Sequence, residues 1–125
     1  MSSIQWRKPK TVLKSTMNYK GMELMKEGKL VRDKIPEIII ADGKKPITRI
    51  LNNDEYLQEL DKKLNEEIAE YQEDKSIEEL ADVLEVMFAI CEARGYSVEE
   101  LMKVRNSKRD KRGGFEQRIF WSGNE

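Results

Sequence analysis

Residues 54–91, D-E-Y-L-Q-E-L-D-K-K-L-N-E-E-I-A-E-Y-Q-E-D-K-S-I-E-E-L-A-D-V-L-E-V-M-F-A-I-C, carry two helical patterns divided by one interruption. In the first, Leu57, Leu60, Leu64, Ile68 and Tyr71 recur three or four residues apart, a single stripe on a helical cylinder. Asp74-Lys75 breaks that stripe, and Ser76-Ile77-Glu78-Glu79 has the form of a capping box opening a second helix. There Leu80, Leu84, Met87 and Cys91 form a stripe that Ala81, Val83, Phe88 and Ile90 widen. An apolar face so broad calls for burial on more than one side, in a bundle or against another subunit. The fold class expected is therefore mostly α.

Working outward, Asn53 or Asp54 is the expected cap of the first long helix, and Gly95 the end of the second. Ser97-Val98-Glu99-Glu100 is a further capping box, opening a helix from Val98 to about Lys111 that Gly113-Gly114 stops. Upstream, Asp33 is placed to cap a short helix with Pro36 in its first turn, running through Ile40 to a left-handed cap at Gly43. Ile47–Leu51 and Arg118–Trp121 alternate enough to predict a small two-stranded β element. Residues 1–28 show no sustained period and read as an N-terminal extension, poorly ordered or loosely docked. The organised domain is expected over 29–121, with a tail at 122–125.

The chain of 125 residues is the size of one domain, and its 38% hydrophobic and 38% charged content suits amphipathic helices. A net charge of -1 conceals an asymmetry: residues 54–82 hold twelve acids against three lysines, whereas 1–20 and 105–112 are basic. With Cys91 alone there is no internal disulfide, and with no histidine the commonest zinc and general-base chemistries are absent. No apolar run approaches the roughly 18 residues of a membrane span. No secretory signal pattern opens the chain, so a reducing, cytoplasmic setting is expected.

The crowding of acid remains to be explained. Six glutamates and two aspartates lie between Asn65 and Val83. Glu67 and Glu70 stand at i and i+3, as do Glu79 and Asp82, so each pair shares a helix face. If the helices run antiparallel, the pairs face one another, and four oxygen donors without His or Cys suit Mg²⁺ or Mn²⁺. The plain alternative is a solvated acidic face, with Glu79 serving Ser76 as its capping partner. Glu66, Glu73, Asp74 and Glu78 are expected to be solvated on either reading. Against the plain alternative, Glu79 and Asp82 sit at the mouth of an almost wholly apolar helix, where like charges need a compensating cation.

E-x-x-E at Glu67–Glu70 followed by E-x-x-D at Glu79–Asp82, within E-E-I-A-E and E-E-L-A-D-V-L-E, resembles the all-α, MazG-like NTP pyrophosphohydrolases. K-L-V-R-D-K-I-P-E-I-I at 29–39 and K-R-G-G-F-E-Q-R-I at 111–119 look like a small house-cleaning branch of that superfamily. The resemblance covers about residues 29–121. It implies a MazG-like helical bundle and hydrolysis of a nucleoside triphosphate, between its α- and β-phosphates, to the monophosphate and pyrophosphate. It further implies Mg²⁺ held by Glu67, Glu70, Glu79 and Asp82, with Glu67, or else Glu66, orienting or deprotonating the attacking water. Arg32, Lys34, Lys108, Arg109, Lys111 and Arg112 then serve to neutralise the triphosphate tail. Phe115 either stacks on the base or is buried beside a strand.

Expected partners are the nucleotide and further copies of the chain, as a homodimer or higher homo-oligomer, with no membrane and no stable nucleic-acid complex. Two other classes compete. One is a non-catalytic helical module whose acidic stripe docks a basic partner; a docking face, unlike a metal cage, needs no particular register. The other is a nucleic-acid binder using the basic N-terminus and 103–112, which the acidic middle of the chain opposes.

Overall fold

The computed structural model describes residues 28–125. The extension expected over 1–28 falls almost wholly outside the described residues. Four helices follow in order: α1 (Ile35–Ala41), α2 (Asn53–Asp74), α3 (Ile77–Ala93) and α4 (Val98–Arg112).

Local chemistry sets most of their ends. Asn52, rather than Asn53 or Asp54, caps α2: its Oδ1 accepts from the Glu55 N–H at 2.9 Å, and the Glu55 carboxylate accepts from the Asn52 N–H at 3.3 Å. The reciprocal bond needs a glutamate three residues after the cap, and only Asn52 has one there. Ser97 closes the same kind of box with Glu100 at the start of α4. At α1 the cap position is Lys34 in helical conformation, without a side-chain bond, so Asp33 does not cap it; Pro36 starts the turn. Gly43 then ends α1 at φ +87°, with the Lys44 N–H on Ile39 O and the Gly43 N–H on Ile40 O, the paired bonds of a left-handed helix stop.

Two residues, Lys75 and Ser76, separate α2 from α3, and Lys75 takes the left-handed conformation at φ +41°. So short a link folds the two helices into an antiparallel hairpin, the main packing unit among the described residues. Arg94 reaches back from the end of α3 to Asp61 of α2 at 3.5 Å. α4 packs more lightly on α3, anchored where the Cys91 thiol donates to Ser97 O at 3.2 Å.

Among the described residues the buried apolar side chains are few: Ile35 of α1, Leu60 of α2, and Val86 and Cys91 of α3. The stripes read from sequence are only partly those turned inward. Leu60 and Cys91 are buried, but Ile68, Leu80, Leu84 and Met87 are 40–50% exposed, and Glu67, Glu79 and Val86 are buried in their stead. Both sets of positions recur at helical spacing, so periodicity admits either face.

Among the described residues no strand forms, which corrects the expected pairing of Ile47–Leu51 with Arg118–Trp121. Ile47, Ile50, Ile119, Phe120 and Trp121 are all largely exposed. Arg118 adopts φ +60°, incompatible with a strand, and the Trp121 indole N–H donates to nearby Asn124 at 3.1 Å. Arg49 is drawn instead to Glu55 in the first turn of α2, at 3.1 Å. An isolated two-stranded ribbon is marginal in any case. No described helix is long and apolar enough to cross a membrane.

Candidate metal centre

The hairpin turn places Glu67 of α2 opposite Glu79 and Asp82 of α3. One carboxylate oxygen from each lies within 4.8 Å of the other two. Glu79 is 3% exposed and Glu67 9%, so two of the three charges are largely withdrawn from water. Ser76 fixes the entry of α3 by accepting from the Glu79 N–H at 3.3 Å. Glu79 thus sits in the first turn, where the helix dipole favours negative charge. Glu70, the fourth acid expected, is partly exposed and lies outside this close group.

Cations crowd the same place. Lys63, one helical turn before Glu67, sets its Nζ 3.4 Å from Glu67 Oε2 and 3.3 Å from Glu66 Oε1. Lys29 holds the other Glu66 oxygen at 2.6 Å, and Arg32 Nη2 donates to Asp82 Oδ1 at 2.7 Å. The stretch before α1 is therefore strapped across the acidic end of the hairpin by two long-range ion pairs.

The two neighbouring glutamates diverge in proton affinity. Burial pushes the Glu67 carboxyl above the usual range, helped by the charges of Asp82 and Glu66 and only partly opposed by Lys63. Burial acts in the same direction on Glu66, but the ammonium groups of Lys29 and Lys63 outweigh it and hold that carboxyl below the usual range. Glu66 is therefore not a solvated surface acid, as its sequence context suggested. Both its oxygens are taken by lysines, which suits it to holding Lys63 in place more than to accepting a proton.

The other expected phosphate-binding residues are dispersed. Of that set, Arg32 touches the carboxylate group; Lys34 is exposed at the start of α1. Lys108, Lys111 and Arg112 share an open, exposed face of α4 with Lys103, Val104 and Ser107. Arg109 is engaged by Glu116 at 2.6 Å. Phe115 is 96% exposed, so it is not buried beside a strand. Sequence reasoning missed Lys63 and Lys29. Lys63 had a legible signal in its three- and four-residue spacing to Glu66 and Glu67; Lys29, 37 residues from its partner, had none.

An oxygen-only set of three carboxylates, with the Cys91 thiol bonded elsewhere and no histidine in the chain, fits a hard divalent cation. No family model and no solved structure matches the chain. An uncharacterised protein of Mycolicibacterium smegmatis is 58% identical over 41 residues, which make up 33% of this chain and 42% of that one. The chain thus matches less than half the length of that relative.

Proposed function

We propose that the chain is a MazG-like, Mg²⁺-dependent nucleoside triphosphate pyrophosphohydrolase, cytoplasmic, whose bundle is completed by a second copy. The observation that carries the reading is the convergence of Glu67, Glu79 and Asp82 from facing helices, with two of the three buried. Like charges so placed repel strongly in a low-dielectric setting, and a divalent cation offsets that repulsion. Glu67, Glu79 and Asp82 would hold Mg²⁺ (or Mn²⁺), with Glu70 from the same face of α2 as a further ligand. When bound, the ion supplies polarisation of the phosphoryl group and a lowered pKa for water.

The remaining work falls to the chain's own side chains. Glu67, its proton affinity raised by burial, is the better carboxylate to orient the attacking water and take its proton; Glu66, pinned by two lysines, is the weaker. Arg32 stands beside the carboxylates with a guanidinium suited to phosphate oxygens. The exposed cationic face of α4 and exposed Phe115 are the candidates for the phosphate tail and the base.

The resemblance of the acidic, K-L-V-R-D-K-I-P-E-I-I and K-R-G-G-F-E-Q-R-I stretches names the reaction. The burial of Glu67 and Glu79 weighs against an acidic docking surface, whose charges have to reach a partner. Pyrophosphate release from a panel of standard and modified nucleoside triphosphates, with and without Mg²⁺, tests the proposal. Metal-dependent release from at least one is expected, and Glu70→Gln or Asp82→Asn should abolish it while the helical signal persists. A folded chain that neither binds Mg²⁺ nor turns over any of them would sink the reading.

A further inference from the structure

Among the described residues, Lys63, Lys29 and Arg32 are cations paired with carboxylates at the acidic end of the hairpin, and they are held unequally. Lys63, with 14% of its side chain exposed, bridges two carboxylates, and Lys29, 21% exposed, lies 2.6 Å from one of them. Arg32 is half exposed and bonds through a single nitrogen, Nη2, to Asp82 Oδ1. An ion pair that open to water contributes little, so Arg32 is the easiest of the three to release. Its partner Asp82 also belongs to the close carboxylate group, whereas Lys29 holds Glu66, which does not.

We propose that Arg32 is a displaceable counter-cation. It neutralises Asp82 until a divalent ion takes that carboxylate, and its freed guanidinium then turns to the phosphate oxygens the ion recruits. This inference rests on the metal reading above and adds to it an order of events, metal first and polyphosphate second. The planar fork of arginine matches phosphate oxygens in a way a lysine ammonium does not. A residue that merely oriented Asp82 from behind would act in the opposite sense, because losing an orienting partner typically weakens a metal site 10- to 100-fold.

The sign of the effect on metal affinity therefore decides. Mn²⁺ is titrated into the full chain, wild type and Arg32→Gln, with free ion followed by electron paramagnetic resonance. Inorganic tripolyphosphate binding is then measured by calorimetry at saturating Mn²⁺. Arg32→Gln should bind Mn²⁺ about threefold to fivefold more tightly. It should bind tripolyphosphate about tenfold more weakly. Arg32→Lys, which keeps the charge and loses the fork, should leave Mn²⁺ affinity near wild type and still weaken tripolyphosphate binding. Unchanged or weaker Mn²⁺ binding by Arg32→Gln overturns the proposal, as does undiminished tripolyphosphate binding. A wild-type chain that takes up no Mn²⁺ instead removes the metal reading itself, and this inference with it.

Discussion

Glu66 and Glu67 are adjacent in the chain and opposite in their effect on stability. The Glu67 carboxyl has its proton affinity raised in the fold, so its contribution is favourable below the unfolded value of about 4.3 and is lost as pH rises through the higher folded value. At neutral pH the ionised side chain is a net cost to the fold. Glu67→Gln should therefore melt at a higher temperature than wild type at pH 7, with the gain shrinking as the pH falls toward the unfolded value. On the proposed function the same variant should also lose Mn²⁺ binding and turnover, so stability and activity would move in opposite directions. Glu66 has its proton affinity lowered, so its contribution is present above the unfolded value and is lost as pH falls through the lower folded one. Glu66→Gln should consequently be less stable than wild type at pH 7, the deficit closing in acid. Thermal melts of the three proteins between pH 3 and 8 check both signs; curves that shift in parallel would remove the account of the Lys29–Glu66–Lys63 clamp.

Several helix ends were legible because their chemistry is local, although Asp33 does not cap α1 and Asn52 caps α2 in place of Asn53 or Asp54. Ser76, Ser97, Gly43, Gly95 and Gly113 all stand where their side chains or backbone freedom require. Helix faces were less legible. Ile68, Leu80, Leu84 and Met87 share a helical period with Glu67, Glu79 and Val86, and sequence spacing does not say which set meets the other helix. The convergence of Glu67 with Glu79 and Asp82 was readable in part from i, i+3 spacing and a short link, but Glu70, named by the same spacing, lies outside the close group. The straps by Lys29 and Arg32 were not, since they join residues 37 and 50 apart. The expected strands failed for a related reason, because pairing is non-local and the left-handed Arg118 leaves no mark in the sequence. A test at this scale compares two caps. Ser97→Ala should cost about 1 kcal/mol of stability and leave Mn²⁺ affinity unchanged. Ser76→Ala should cost a similar amount and also weaken Mn²⁺ binding, because that cap sets the turn from which Glu79 projects. Equal Mn²⁺ affinity in the two variants would show that α3 holds Glu79 without its cap.

On the scale of the whole molecule the apolar ledger is lopsided. Among the described residues four apolar side chains are buried, while Ile77, Leu80, Leu84 and Met87 along α3 are 42–76% exposed. Their positions, three or four apart, make them a continuous stripe opposite the acidic seam. With so few apolar side chains buried among the described residues, covering such a stripe is favourable, and a two-fold copy of the same stripe is self-complementary in chemistry. The expected solution mass is accordingly twice 14.7 kDa. Leu84→Glu, at the centre of the stripe, sets like charges against each other across a two-fold axis and should halve that mass in sedimentation equilibrium. The acidic cluster lies on the other side of α3, so the variant should bind Mn²⁺ with an affinity proportional to its folded fraction. A wild-type chain that sediments at 14.7 kDa at micromolar concentration would exclude the second copy and leave the stripe to a different partner.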